Sequence, residues 1–305
     1  MKVFVTGGSG MVGKNLVELL VKRKIDVLYP SSKEVNLLDK VLLNQFIKDK
    51  KPNVIIHCAG LVGGIQANIL KPYSFLSVNL EMGLNIVECA IENKIEKLIN
   101  LGSSCMYPAG NDLELEEKDI LNGPLEKTNE GYAIAKIAIA KLCEFAGKEH
   151  MFNYKTIIPC NLFGKWDKFD PKKSHMIPGV IRKIHEAKFS DISPIIWGDG
   201  TARREFMYAE DFADFIYWSL DNYNLLESYT NVGIGKDLSI LEYYKEISKV
   251  VEFKGSFEFD LEKPTGMRRK LCSIEKQKKL GWKPKHSLEQ GLKKTYEFYL
   301  EQYGI

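Results

Sequence analysis

No apolar run in this 305-residue chain reaches the ~18 residues that a membrane-crossing helix needs, so no membrane span is expected. There is no C-x-x-C pair and no Cys/His zinc spacing. The six cysteines (58, 89, 105, 143, 160 and 272) are widely separated, which excludes a compact disulfide framework and points to free thiols in a reducing, cytoplasmic compartment. Blocks of like charge are missing too. With 43 basic and 40 acidic residues the net charge is +3, which makes no case for nucleic-acid binding but leaves room for a basic pocket holding a phosphorylated ligand. Internal repeats, low-complexity tracts and long linkers are all absent. The first residues, M-K-V-F-V-T-G, run directly into a strand and a glycine turn, so no signal peptide is expected.

What is present is an ordinary globular composition, 45% hydrophobic and 27% charged, on a chain long enough for a substantial core. Short apolar runs alternate with amphipathic stretches. Strands are expected at Val3–Thr6, Val27–Tyr29, Val54–Cys58, Lys97–Leu101 and Lys155–Pro159. Helices are expected at Met11–Arg23, Lys40–Lys48, Pro72–Glu92 and Tyr132–Lys148. This alternation indicates an α/β fold, a Rossmann-type doubly wound parallel sheet with ligands at the C-terminal edge of its strands. After Gly164 the pattern becomes irregular around Trp166–His175. A helix is expected near Ile177–Ala187, a capping box at Ser239–Glu242 and a terminal amphipathic helix at Ser287–Tyr303. The expected division is a cofactor-binding part, residues 1–164, and a smaller C-terminal α/β lobe, residues 165–305, with some segments returning to the first part.

Directly after the first strand, T-G-G-S-G-M-V-G sets Gly7, Gly10 and Gly13 in G-x-x-G-x-x-G spacing at the start of a helix. Glycines let backbone approach a pyrophosphate, and the helix N-terminus favours its charge; the bland alternative is a tight structural turn. The second strand ends in Tyr29-Pro30-Ser31-Ser32-Lys33, with Glu34 late. NAD binders often carry an acid there for the ribose 2′-hydroxyl. Its absence, with Ser9, Ser32 and Lys33 available to a 2′-phosphate, favours NADP(H). Asp39 can reach an adenine amino group or simply cap a helix. His57-Cys58-Ala59-Gly60 follows the third strand, with small residues suited to a ribose and a histidine read as structural.

Tyr132 and Lys136 lie four residues apart, on one face of a helix. An ammonium beside a phenol favours the phenolate and lowers the phenol pKa from ~10, so that the tyrosine can exchange a proton with a carbonyl oxygen near neutral pH. The spacing alone is common by chance. Gly102-Ser103-Ser104-Cys105, after the fourth strand, strengthens it, because Ser103 can bond the same carbonyl as Tyr132. Cys105 is either an inert buried thiol or a base for a carbon acid. His175, in K-K-S-H-M-I-P, is either structural or a site residue, with Lys172 and Lys173 lowering its pKa if close. Trp197 and Arg204 suit a nucleotide base and a diphosphate. Met267-Arg268-Arg269-Lys270 adds positive charge or is a solvated basic loop.

These residues resemble the extended short-chain dehydrogenase/reductase superfamily and, within it, the GDP-L-fucose synthase family. The matching pieces are G-x-x-G-M-V-G, N-L-L-D, V-G-G-I-Q-A-N, L-G-S-S-C-M-Y-P, Y-A-I-A-K, N-L-F-G, S-H-M-I-P and W-G-D-G-T-x-x-R-E-F, with R-K-L at 269–271, nearly end to end. The resemblance implies a reductive triad of Ser103, Tyr132 and Lys136, and an epimerising base and acid in Cys105 and His175. It implies NADP(H) contacts from Gly7, Gly8, Ser9, Gly10, Met11, Val12, Gly13, Ser32, Lys33 and Asp39. Further cofactor contacts fall to Ala59, Gly60, Leu101, Gly102, Lys136 and His175, with Pro159, Cys160, Asn161 and Leu162 lining the nicotinamide. Ser103, Asn161, Lys183, Trp197, Arg204 and Lys270 would hold a GDP-4-keto-6-deoxy-sugar. No metal is implied.

The implied reaction is NADPH-dependent reduction of a C4 ketone after epimerisation at C3 and C5. Three departures leave a reductase-only enzyme on a GDP-4-keto-heptose or a pre-epimerised sugar open. They are lysine at Lys183 where arginine is usual, Pro264-Thr265-Gly266 in place of P-D-G, and serines where arginines usually meet the 2′-phosphate. A UDP-sugar 4-epimerase and a non-catalytic NADP sensor fit less well, since neither needs the full residue set. The helices at Pro72–Glu92 and Tyr132–Lys148 carry Leu80, Leu84, Val87, Ile91, Ile134, Ile137, Ile139 and Leu142 on more than one face. A surplus apolar face suggests a partner, and the resemblance implies a homodimer through a four-helix bundle.

Overall fold

The computed structural model describes residues 1–110, 112–171, 174–190, 192–263 and 266–304. Lys172, Lys173, Pro264 and Thr265, named above, lie outside the described residues. The chain opens β1 (Lys2–Thr6), α1 (Met11–Lys22), β2 (Asp26–Leu28), α2 (Lys40–Lys50) and β3 (Val54–His57). A short α3 (Ile65–Leu70) and a long α4 (Pro72–Glu92) follow, then β4 (Lys97–Leu101), α5 (Glu130–His150) and β5 (Asn153–Pro159). The expected elements of this half are present, with ends displaced by no more than two residues. The helix α3, carved from V-G-G-I-Q-A-N, has no amphipathic signal and is an addition.

The second half runs β6 (Asn161–Phe163), α6 (Met176–Lys188), β7 (Ile195–Trp197), β8 (Arg203–Arg204), β9 (Phe206–Tyr208) and α7 (Ala209–Asp221). It continues through β10 (Tyr229–Val232), β11 (Leu238–Ser239), α8 (Ile240–Val251), β12 (Glu258–Asp260), β13 (Arg269–Lys270), α9 (Glu275–Leu280) and α10 (Leu288–Tyr303). Both α8 and α10 start at capping boxes, Ser239 with Glu242 and Ser287 with Gln290.

Six parallel strands form the main sheet in the order β10-β5-β4-β3-β1-β2. Its central strands are apolar throughout because both faces are covered. Val3, Val5, Val54, Ile56 and Ile99 point into one core with α1 and α7. Phe4, Ile55 and Leu98 point into the other with α2, α4 and α5. The chain steps outward from β1 to β2, then returns to β1's other side as β3. The order therefore reverses between β1 and β3, where such sheets open a crevice beyond the strand ends. A third core, around Phe169, Ile181, Phe206, Tyr243 and Leu292, belongs to the second half.

The helix α4 departs from one expectation. By length and composition it is apolar enough to cross a membrane. It instead lies along α5 and the sheet, with the amides of buried Asn79 and Asn85 bonded to Phe75 and Leu37 carbonyls.

Candidate active site

At the reversal point the loops after β1 and β3 touch. Gly7 has φ +67°, and a Cβ there would lie 2.7 Å from Ala59 backbone. A Cβ on Gly13 would meet the Gly7 carbonyl oxygen at 2.2 Å, so the first turn of α1 packs against the loop only as glycine. Thr6 Oγ1 joins the two loops, 2.9 Å from His57 Nδ1 and accepting from Ala59 N at 3.2 Å. Burial holds His57 neutral, with its pKa pulled down to about 3, in keeping with a structural histidine. The N-cap of α1, Gly10, offers no side chain, which leaves the first-turn N–H groups of a 12-residue helix facing the crevice. This cradle fits a dinucleotide pyrophosphate.

Beyond β2, Ser32 and Lys33 are exposed, as is Ser9. Glu34 folds back onto Ser31, accepting from its N and Oγ at 2.7 and 2.8 Å. Its carboxylate, held below its usual pKa by those bonds, is committed to the turn. Asp39 caps α2, accepting from Leu42 N at 3.0 Å, which is the bland one of its two readings.

The next two strand ends bring the chemical groups together. Ser103 opens a tight turn, Ser104–Met106, and accepts from Cys105 N at 3.4 Å. Its hydroxyl acts on the Tyr132 hydroxyl and the Cys105 thiol, favouring the ionised form of each. Tyr132 packs edge-on against Phe75, with ring centroids 6.4 Å apart. Lys136, almost fully buried, donates to Leu101 O at 2.8 Å, and a Cβ on Gly60 would stand 4.0 Å from its ammonium. Gly102 is closed in by Ile158 and Met106, each 3.0 Å from a would-be Cβ.

One electrostatic expectation is corrected. The Lys136 ammonium sits 5.8 Å from the Tyr132 ring centre and spends its bond on Leu101. Burial, reinforced by Cys105, raises the Tyr132 pKa, and the Ser103 side chain opposes it. The phenol is therefore held protonated rather than poised as phenolate, because desolvation outweighs a charge that is not in contact. Burial also raises the Cys105 thiol, opposed first by Lys270 and then by Ser103 and Lys136. Burial lowers the pKa of Lys136 and of Lys270.

Across the crevice β13 pairs with β8, setting Lys270 beside Arg204. Of the basic run, Arg268 is exposed near Asp112, and Arg269 is bound to Asp237 at 2.6 Å. Lys270 alone of that run acts on Cys105. The helix α3 edges the same cleft. A Cβ on Gly64 would lie 3.6 Å from Ser174 O, and one on Gly266 would lie 3.4 Å from the Arg204 guanidinium and 3.9 Å from Ile65. His175 stands exposed at the N-cap of α6. Lys183 and Trp197 form a separate patch. The ammonium is 5.7 Å from the indole and donates to Ile195 O at 3.2 Å.

Two of the named side chains are held by their surroundings. Cys160 is buried in the core with its thiol pushed up. The Asn161 amide nitrogen is tied to Glu205 O at 2.8 Å. Sequence reading missed Glu126, whose charge acts on both Arg204 and Lys270. It also missed Glu205, fully buried, with Ile234 N, Gly235 N and Cys272 N donating to its carboxylate at 2.6, 2.7 and 3.1 Å. Burial raises Glu205 to about 7 against those three bonds. An acid inside R-R-E-F at the end of a two-residue strand gives no periodic signal that would have found it.

A glycine cradle at the sheet reversal, with a serine–tyrosine–lysine group at the next strand ends, defines a nicotinamide-dependent enzyme of the short-chain type. The chain belongs to the NAD dependent epimerase/dehydratase family, whose model matches residues 3–235. It is 52% identical to the GDP-L-colitose synthase of Yersinia pseudotuberculosis over 99% of both chains. It is 48% identical to the GDP-L-fucose synthase of Azorhizobium caulinodans, over 98% of this chain and 96% of that one. Among solved structures, it superposes with a TM-score of 0.91 on a GDP-D-glycero-L-gluco-heptose synthase from Campylobacter jejuni determined in the presence of NADPH. That pair is 30% identical over 98% of each chain.

Proposed function

We propose that this protein reduces the C4 ketone of a GDP-4-keto-6-deoxy-sugar with NADPH, after inverting C3 and C5, to make GDP-L-fucose or a close analogue. The observation that carries this reading is the clustering at one strand end of Ser103, which accepts from Cys105 N, with the buried Cys105 thiol and with Tyr132, on both of which the Ser103 hydroxyl acts. A C4 oxygen placed there would meet two donors, with a sulfur base beside the adjoining carbon. Protons next to a ketone are acidic because the enolate is delocalised, and the donors that hold the ketone also hold the enolate. The same pocket therefore serves epimerisation and reduction.

Bound NADPH supplies the hydride that C4 receives. Gly7–Gly13 and α1 hold its pyrophosphate, Ser9, Ser32 and Lys33 its 2′-phosphate, and Ala59, Gly60, Leu101 and Gly102 its ribose side. Lys136, fixed by Leu101, bonds the nicotinamide ribose, and the Pro159–Leu162 backbone lines the ring. Tyr132 gives its proton to the C4 oxygen while Ser103 orients that oxygen. Cys105 takes a proton from the sugar and His175 returns one from the other side. Lys183, Trp197, Arg204 and Lys270 hold the nucleotide and sugar. On this assignment residues 1–164 serve the cofactor and 165–305 mainly the sugar.

The test is NMR of the product formed from GDP-4-keto-6-deoxy-mannose and NADPH in deuterated water. The expected product is a C4 alcohol carrying deuterium at C3 and C5, and absence of any turnover would defeat the assignment. A second reading, a reductase acting on a heptose or a pre-epimerised sugar, is favoured by the burial of Cys105, 4% exposed with its thiol pushed up. It expects a C4 alcohol without deuterium at either carbon.

The protein also fits a cytoplasmic homodimer, supported by six unpaired thiols and by the α4/α5 face. Of the eight apolar residues first counted on that face, Val87, Ile137 and Ile139 are core. Leu84, Ile91 and Leu142 instead line an open groove with Phe145, itself 54% exposed. Two such faces pair as a four-helix bundle. Sedimentation at micromolar concentration should give a dimer, and Phe145→Glu should give monomer. A wild-type monomer at that concentration would remove the dimer.

A further inference from the structure

The short pairing of β8 with β13 sets like charges side by side. Arg203 is the register partner of Arg269, and Arg204 is that of Lys270. Successive residues of a strand point to opposite faces, so the two pairs lie on opposite sides of the ribbon. On one side buried Asp237 joins both arginines. Its Oδ1 accepts from Arg203 Nε at 3.0 Å and its Oδ2 from Arg269 Nε at 2.6 Å. On the other side stand Arg204 and Lys270, at the crevice. Burial first, and Arg204 among the neighbours, disfavour the Lys270 ammonium. Two cations on strands of two residues each repel, so something else must hold that pairing.

The residue after Arg204 does so. Glu205 is fully buried, and its Oε1 accepts from Ile234 N at 2.6 Å and Gly235 N at 2.7 Å. Its Oε2 accepts from Cys272 N at 3.1 Å. Ile234 and Gly235 follow β10, an edge strand of the main sheet, and Cys272 lies two residues past Lys270. The seat is shaped for this carboxylate. A Cβ on Gly233 would stand 2.3 Å from Oε1, and Gly235 turns the chain at φ +67°. Gln277 backs the seat, its Oε1 accepting from Gly233 N at 2.9 Å and its Nε2 donating to Gly233 O at 3.0 Å. The Tyr243 hydroxyl steadies β8 by donating to Arg204 O at 3.0 Å. The backbone of Glu205 serves the cofactor side, where its carbonyl accepts from Asn161 Nδ2 at 2.8 Å.

We propose that Glu205 is a positioning residue for the nucleotide-sugar, its carboxylate bracing β13 against the loop after β10 so that Arg204 and Lys270 present two adjacent cations to one diphosphate. A diphosphate set between them relieves their repulsion, and a guanidinium fork beside a point charge suits its oxygens. The bonds of the Glu205 carboxylate all go to backbone N–H groups, so it places Lys270 without touching the ligand. The brace rests on the reading of Arg204 and Lys270 as contacts to a GDP-sugar, and GDP binding by the unaltered enzyme tests that reading by itself.

The full-length enzyme serves, with Glu205→Gln, Glu205→Asp, Lys270→Met and the double variant Glu205→Gln/Lys270→Met. Calorimetric titrations with GDP and with NADPH, and kcat and KM for the keto-sugar, are measured. Glu205→Gln keeps the length but turns a donor amide toward a backbone N–H, and Glu205→Asp keeps the charge but shortens the reach. Each should weaken GDP binding and raise KM by about 10-fold or more, the scale of a buried group left unmatched, with kcat little changed. NADPH affinity should hold, because the Asn161 bond goes to the Glu205 carbonyl and survives both changes. The GDP loss from Glu205→Gln should shrink in the Lys270→Met background, since both changes strike one contact. Unchanged GDP affinity in the two Glu205 variants overturns the brace, as do additive losses in the double variant. Parallel loss of GDP and NADPH binding, or failure of both variants to fold, also overturns it, by making Glu205 a core residue. Absence of GDP binding in the unaltered enzyme would overturn the GDP-sugar reading, and the brace with it.

Discussion

Replacing Tyr132 by phenylalanine should lower kcat for the C4 reduction by ~10²-fold or more while NADPH affinity stays close to that of the unaltered protein. The substitution removes one oxygen and keeps the ring. The edge-on contact with Phe75 and the packing of α5 therefore persist. Lys136 is held by the Leu101 carbonyl and not by the phenol, so the cofactor side of the site is undisturbed. What disappears is the proposed proton donor to the C4 oxygen. Burial favours the protonated phenol, which suits the proposed role of an acid, and the loss should appear in kcat rather than KM. Stopped-flow NADPH oxidation with separate binding titrations measures both. Near-normal turnover in the variant would remove Tyr132 from the mechanism.

Cys105→Ser carries the second large effect. Deuterium uptake into C3 and C5 should fall by ~10²-fold or more, while reduction of an already epimerised keto-sugar continues. The thiol is 4% exposed, and burial disfavours its thiolate against the pull of Lys270, Ser103 and Lys136. Reaction through it depends on a small population of a strong base, and a serine hydroxyl in the same place is far harder to ionise. The bond from Cys105 N to Ser103 Oγ is a backbone one and is kept, so the turn at Ser104–Met106 should hold. Exchange that survives the substitution would take Cys105 out of the role of base, and loss of both activities together would mark it as a packing residue.

How far the site was legible depends on the kind of signal each residue leaves. The glycine turn and Gly102–Cys105 each sit where a strand ends, and Tyr132–Lys136 shares one face of α5. Strand ends are readable because apolar runs such as V-I-I-H and L-I-N-L announce buried parallel strands. Glu205 and Glu126 were not legible. Their importance comes from what the fold brings beside them, and no spacing along the chain encodes a neighbour far off in sequence. Glu205, for example, receives Cys272 N from 67 positions away.

The sequence by itself determined the alternation of strand and helix, hence the parallel sheet, the crevice at its reversal and the cofactor turn that must be glycine. Those features are local, set by hydrophobic periodicity, capping and backbone sterics. Tertiary structure alone decided the return of β10 to the main sheet, the two-residue pairing of β8 with β13 that puts Lys270 near Cys105, and the proton state of Tyr132. A four-residue spacing places an ammonium on the same helix face as a phenol, but it does not say how much water either keeps. Burial supplies that, and here desolvation of the phenol outweighs a lysine whose hydrogen bond is made elsewhere.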